Sequence, residues 1–408
     1  MADVTIEGSL AADAENTARR WSVATTADTF YDFFLQGASQ PYLFHYKKST
    51  DGVATFGSGV AVKAADTTLG FGLWYDKWTP GITTTKIRTV YGHSSDAIFY
   101  RDLQTSSDTL GTERTLATPL EFSLWALVED GHCEITLAKN GDLHAFYQQD
   151  NDTQSGHFKS TAASDGASWT SRAAIHQGDY NDLFMLFPAA TADDADICVL
   201  WWDDSASEVK VFIHDDSANS NSAAVSVGTS LNFDLTSPQY WQWSAQVRHS
   251  DGHIILAVRN EIGSTGDIRV FDITPSATPS VSELTTVLSN TAGAGVDVFI
   301  DQNTDDIYIA WLQGTLAATT DVYYSISTDN GSTWGTAVGP VNETAADDYR
   351  NLCSNGMVLS GDAGRYALSW VNDDTDDLMT NKVNSVSISA GGGGVTTRRY
   401  SLSLTGVG

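Results

Sequence analysis

Short runs in which every second residue is apolar, separated by turns rich in Gly, Asn and Asp, recur along this chain from one end to the other. Such a period of two predicts half-buried strands, because successive side chains of a strand point to opposite faces. The most regular stretch covers 134–139, turns at Asn140-Gly141-Asp142, and continues through 143–148, 156–160 and 169–175. That order reads as four strands, with Asn-Gly supplying the positive φ that a tight hairpin turn requires. Second strands of equivalent units are expected at 30–35, 86–91, 143–148, 196–202, 253–259, 306–311 and 366–371. No long segment repeats its apolar positions every 3.6 residues, and Lys, Glu and Met are scarce beside Thr, Ser, Val, Asp and Gly. The fold class is all-β.

Three segments resemble one another. Ser327-Thr-Asp329-Asn-Gly331-Ser-Thr333-Trp334 fits S-x-D-x-G-x-T-W at every specified position. Ser49-Thr-Asp51-Gly52-Val53-Ala-Thr55-Phe56 keeps Ser, Asp and Thr, with a different aromatic residue and the Gly displaced by one. Ser164-Asp165-Gly166-Ala-Ser168-Trp169 keeps Gly and Trp, with Ser164 at the Asp position. Their Asp positions, 51, 164 and 329, lie two and three periods of about 55 residues apart, and seven such units nearly exhaust the chain. A four-stranded unit cannot bury both faces alone, so radial stacking is the economical solution. The expectation is a single β-propeller of about seven four-stranded blades, with six blades and an accessory hairpin as the alternative. It would occupy 21–390, between an N-terminal extension (1–20) and a Gly391–Gly394 linker leading to a strand-like tail within 391–408. Either 4–8 or 396–404 is placed to close the ring.

At Ser327 to Trp334, with the two weaker copies and the common period behind it, the chain resembles the Asp-box (BNR-repeat) propellers, of which sialidases are the best known. The resemblance implies that the boxes are structural turns between third and fourth strands, on the face away from the functional one. Sialidases of that family clamp a carboxylate with three arginines and use a Tyr nucleophile, a Glu and an acidic Asp. They also carry an early Phe/Tyr-Arg-Ile-Pro motif. This chain has no such motif: Arg19-Arg20-Trp21 and Lys86-Ile87-Arg88 are its nearest basic clusters. Arg248, Arg259, Arg269 and Arg350 fall on strands or strand ends, and nothing in the sequence brings three of them together.

The formal charge of -29 in 408 residues argues against nucleic acid as a partner. It also suits a saline or Ca²⁺-containing medium. Cys133, Cys198 and Cys353 are far apart and lack CxxC spacing, so neither a disulfide framework nor a zinc site is expected. His249 and His253 flank an Asp-Gly turn and do not share a helix face. No GxSxG, P-loop or GxGxxG occurs, and no run of 18 apolar residues predicts a membrane-inserted helix. The first residues show no basic segment followed by an apolar one, so no signal peptide is expected.

Candidate ligand residues come from loops after the second strands: Asp150 and Asp152, Asp203 and Asp204, Glu261, and Asp373, Asp374, Asp376 and Asp377. Clustered carboxylates there would suit sugar hydroxyls, Ca²⁺, or an acid/base pair. Aromatic groups at Trp74-Tyr75 with Trp78, at Trp201-Trp202, and at Tyr240-Trp241-Gln242-Trp243 add flat faces for stacking on sugars. Trp74, Trp78 and Trp241 are expected to be exposed and, with Asp203 and Asp204, to bind the ligand. The reading that unites these features is a non-enzymatic phage virion protein, made in the host cytoplasm. It would be carried on the virion surface or tail as a homo-oligomer, joined to other virion proteins through its termini, and would bind cell-surface glycan. A glycoside hydrolase of the sialidase-like class and a ligand-free decoration protein are the alternatives.

Overall fold

The structure, a computed structural model, describes residues 3–8, 10, 20–37, 42–63, 68–93, 97–117, 133–148, 155–175, 183–203, 206, 208–228, 231, 242–262, 265–291, 293–315, 319–343, 349–372 and 374–390. Seven sheets stand in a ring as the blades of a β-propeller. Blade one comprises Ser22–Ala24, Phe30–Gln36, Leu43–Ser49 and Val60–Lys63; blade two comprises Thr68–Tyr75, Lys86–His93, Ala97–Gln104 and Arg114–Ala117. Blade three follows with Cys133–Leu137, Leu143–Gln148, Ser155–Ser160 and Thr170–Ser171. Blades four and five begin at Leu183–Pro188 and Trp243–Val247, and each splits its outer edge between two short strands. Blade six carries Gly293–Asp301, Asp306–Thr315 and Thr319–Ser327, and its fourth member is Met357–Val358, parallel to the first. Among the described residues the only helical turn is Asp76–Trp78.

Every second strand expected from the sequence is found in second position, so blade count and phase were both legible. These strands are buried on both faces: Ile197–Asp203 is buried at all seven positions, because neighbouring blades cover both sides. Third strands nearer the rim alternate, as Leu43–Ser49 does. The alternation that announces strands in the sequence is therefore supplied mainly by the outer strands.

Blade seven settles how the ring closes. Its strands run Tyr349–Ser354, Leu368–Asn372, Asp377–Thr380, and outermost Val4–Gly8, antiparallel to the third with Val4 opposite Thr380 and Gly8 opposite Asp377. Ile6 and Leu10 are buried, the Lys47 ammonium donates to the Ile6 carbonyl (2.7 Å) and pairs with Glu7 (3.1 Å), and Leu10 bridges to Gln36. Val4–Gly8, one of the two segments expected to be able to close the ring, thus supplies a strand of the propeller from within the stretch expected as an N-terminal extension. The segment 391–408 lies outside the described residues.

Candidate functional site

First strands run from one face of the ring to the other and second strands run back. The first-to-second and third-to-fourth turns therefore share one face, here called lower. The inter-blade and second-to-third connections share the upper face.

All three look-alike segments are lower-face turns. In the segment 327–334, the Asp329 carboxylate accepts the Thr333 N–H (2.9 Å) and hydroxyl (2.6 Å) and the Ser327 hydroxyl (2.8 Å). Ser327 Oγ in turn accepts the Gly331 N–H (2.8 Å), and the Trp334 indole donates to the Thr285 carbonyl of blade five. Asp51 repeats this with Thr55, Ala54 and Ser49. Slight burial works against its ionisation, but those donors prevail and pull its carboxyl down to about 2. Val53 takes the position of Gly331, at φ 64, which explains why displacing the Gly by one did not destroy the turn. In the third copy Ser164 accepts the Ser168 N–H (2.8 Å) in place of an Asp, and Ser160 accepts the Gly166 N–H (2.9 Å). Trp169 packs beside Tyr100 of blade two, and Phe56 packs into the apolar core.

The lower mouth of the axis is closed by the long turn after the first strand of blade two. Trp74 and Trp78 meet edge to face at 5.6 Å and are 0% and 1% exposed. The Trp74 indole donates to Thr79 Oγ1 (3.0 Å), whose hydroxyl donates to the Leu137 carbonyl of blade three (2.6 Å). The Trp78 carbonyl accepts from the His249 ring of blade five (3.0 Å). Gly356 of blade seven, at φ +80, lies so close that a Cβ there would sit 3.0 Å from the Trp78 ring. Trp74 and Trp78 were expected to be exposed sugar platforms, and that expectation fails for a topological reason. A first strand ends on the lower face, so the aromatic residues at its end pack under the axis and do not line the upper face.

On the upper face, Asp203 is buried and ion-paired to Lys210, and it accepts the Ala206 N–H (3.1 Å). It braces the turn between second and third strands, while the Lys210 ammonium stands 5.0 Å over the Trp201 ring. Trp201, Trp202, Tyr75 and Trp243 are buried packing residues. Asp374 is exposed, its N–H donating to Asn372, and the Asp376 carbonyl accepts the Leu10 N–H. Trp241, Asp204, Asp150, Asp152, Tyr240 and Asp373 lie outside the described residues, as does the side chain of Glu261. Among the described residues no three His, Cys, Asp or Glu side chains gather in a way that could hold a metal ion.

What sequence reasoning missed is a polar cluster on the axis. Arg20 precedes the first strand of blade one; its guanidinium stacks 4.7 Å from Phe187 and 5.0 Å from Trp74, with Nη1 3.5 Å from Glu134. Asp297 of blade six accepts the Ser244 hydroxyl (2.8 Å) and the Ser354 N–H (2.8 Å). Burial pushes its carboxyl up to about 6 despite those donors, and pushes Asp32 of blade one up to about 7 against the pull of Ser22. The Arg20 proton is loosened by burial and held by Glu134, and Cys353 and Asp297 stand near enough to add to that hold. Scattered positions 20, 32, 134 and 297 carry no motif; only closure of the ring unites them.

Three further arginines are engaged away from that cluster. Arg88 forks onto Asp76 (2.7 and 3.0 Å) and reaches Asp165 (2.6 Å) on the lower face. Arg248 pairs there with Asp251 and Asp272, and Arg269 pairs with Glu283.

No family model matches this chain, and no curated protein matches it. Among solved structures it is similar to a polysaccharide lyase of a family described as ulvan lyase (TM-score 0.56, 10% identity, covering 96% of this chain and 95% of that one). It is also similar to a protein of unknown function from Dyadobacter fermentans DSM 18053 (TM-score 0.50, 11% identity, 80% and 98%). A Hadza microbial sialidase aligns at TM-score 0.47 and 10% identity, over 90% of this chain and 66% of that one. At these identities the likeness concerns the fold alone, a β-propeller.

Proposed function

We propose that this protein is a non-catalytic, carbohydrate-binding propeller of the Asp-box class, displayed on a phage virion surface or tail, and that it binds host glycan through its upper face. The observation that carries the reading is the closed lower mouth. With Trp78 locked between blades two, three, five and seven, a ligand can approach the polar axis only from above. Ligands of closed β-folds bind at such an open end, where loops converge and polar groups sit over an apolar body. The lower turns are used up by their own hydrogen bonds, which leaves the upper face for recognition.

Attachment to a larger assembly is supported by ring closure. Since Val4–Gly8 already occupies the outer position of blade seven, the alternating sequence Tyr400-Ser-Leu402-Ser-Leu404 is not needed to complete the propeller. After a four-glycine spacer such a sequence would suit addition to the sheet edge of a neighbouring subunit.

A second reading, a polysaccharide-cleaving enzyme, is favoured by one observation: the ulvan lyase aligns with this chain nearly end to end. One screen separates the two. Purified protein is applied to a broad array of polysaccharides, with retention scored beside release of shortened or unsaturated products. Retention without release supports the binding protein, and release of product overturns it. For the virion role, deletion of 391–408 should abolish incorporation into particles while leaving glycan retention intact; unchanged incorporation would sink the anchoring idea.

A further inference from the structure

The upper ends of the innermost strands are not equivalent around the ring. In blades three, four and five the first strand pairs with the second in unbroken register. In blades two, six and seven the register breaks near the upper end of the first strand, between Thr68 and Gly70, Ala294 and Val296, and Arg350 and Leu352. The first strand of blade one, Ser22–Ala24, is only three residues long. One arc of the ring, blades six, seven, one and two, is thus irregular at its inner upper rim. Bulges at barrel rims re-aim side chains and gather beside binding sites.

The same arc holds polar atoms without hydrogen-bond partners among the described residues. Asn351 is the extra residue of the blade-seven bulge; it sits at φ 41, is 0% exposed, and neither Oδ1 nor Nδ2 has a partner. Thr68 Oγ1, at the bulge of blade two, is buried without a partner, as are Asp32 Oδ1 and Arg20 Nη2 of blade one. An L-residue in left-handed backbone costs energy, and a buried amide with both ends unmet costs more, so a position that accepts both has a use for that amide.

We propose that this arc is a sugar subsite, in which the Asn351 amide engages two adjacent hydroxyls of a neutral glycan, with the Thr68 hydroxyl as a further contact. The inference rests on the proposed glycan-binding function and narrows its ligand class. An amide offers one acceptor and one donor edge, which match a vicinal diol, whose hydroxyls each donate and accept. The charge of the axis selects against acidic sugars. Glu134 and Asp297 both act on the Arg20 guanidinium, which is already paired with Glu134, so a carboxylate or sulfate would find that charge met and two carboxyl groups beside it.

The test uses the full chain and two variants against neutral, sialylated and sulfated oligosaccharides. Asn351→Gly suits the positive φ and breaks no described hydrogen bond, so its melting temperature should equal or exceed that of the parent. Its retention of neutral sugars should fall at least tenfold. Thr68→Val, which keeps the shape, should weaken retention by a smaller factor at unchanged stability. If the parent retains neutral glycans and Asn351→Gly retains them equally, this subsite is refuted while the glycan-binding function stands. Retention of acidic sugars in preference to neutral ones likewise refutes the ligand class alone. If the parent retains no glycan of any kind, the function and the subsite fall together.

Discussion

Replacing Asp32 by Asn should make the protein relatively more stable at pH 8 than at pH 4, by an amount set by the burial of one carboxyl. Asp32 is 1% exposed on the second strand of blade one, and burial carries its carboxyl from 3.8 up to about 7. Its proton is held more tightly in the fold than in the unfolded chain. The folded state therefore binds the extra proton between those two values, and stability falls as pH rises from about 4 through 7. At about 1.4 kcal/mol for each pH unit, ionising Asp32 costs about 4 kcal/mol by pH 8. Asparagine removes the ionisation but places an N–H₂ group where Oδ1 has no described partner, a penalty of about 1–3 kcal/mol at every pH. The two effects separate by titration. The mutant should be about 2 kcal/mol more stable at pH 8 and less stable than the parent at pH 4, so that its effect swings by about 4 kcal/mol between them. Equilibrium urea unfolding of both proteins at the two pH values measures this, and the remaining titrating groups cancel in the difference. A mutational effect that is the same at pH 4 and pH 8 would refute the reasoning, because it would mean that Asp32 ionises as freely in the fold as out of it.

The buried imidazoles of blades three and four should act with the opposite sign. His144 Nδ1 lies 3.0 Å from His157 Nε2, His214 stacks edge-on to His157, and burial followed by mutual repulsion holds His144 and His157 well below 6.5, with Lys159 or Arg172 adding to it. Their stabilisation is present above pH 6.5 and is lost as pH falls below it, so between pH 7.5 and pH 5 the melting temperature of His144→Leu should fall less, or rise more, than that of the parent. Deleting residues 1–10 removes the outer strand of blade seven with buried Ile6 and Leu10, about 3–6 kcal/mol of burial, and should lower the denaturation midpoint sharply. Trp78→Ala should cost about 3–5 kcal/mol and open the lower mouth, read as lowered stability with a gain in hydrogen exchange at His249 and Gly356. All three cysteines are buried, with the Cys133 thiol pushed up to about 12 by burial and then by Glu134, so a thiol reagent should label none in the native protein and three after unfolding.

The sequence by itself determined the class, the period and the phase. Alternation marks a strand because the side-chain period of a strand is two, and Ser-x-Asp-x-Gly-x-Thr-Trp marks a turn because the hydrogen bonds of its Ser and Asp side chains join residues at most four apart. These are local interactions, so they leave local signals, and seven second strands were placed within a few residues of their true positions. Tertiary structure decided what depends on contacts between distant residues. Whether 4–8 or 396–404 closed the ring was not legible, since both alternate and only pairing with Asp377–Thr380 distinguishes them. Trp74 and Trp78 looked like ligand platforms because a sequence shows aromatic density but not which face of a ring a strand end reaches. Asp203 looked like a free carboxylate because Lys210 meets it only when the turn between two strands folds back. The axial group of Arg20, Asp32, Glu134 and Asp297, and the strained Asn351, had no signature at all. They come from blades one, three, six and seven, and a radial fold converts that separation along the chain into proximity at a shared axis.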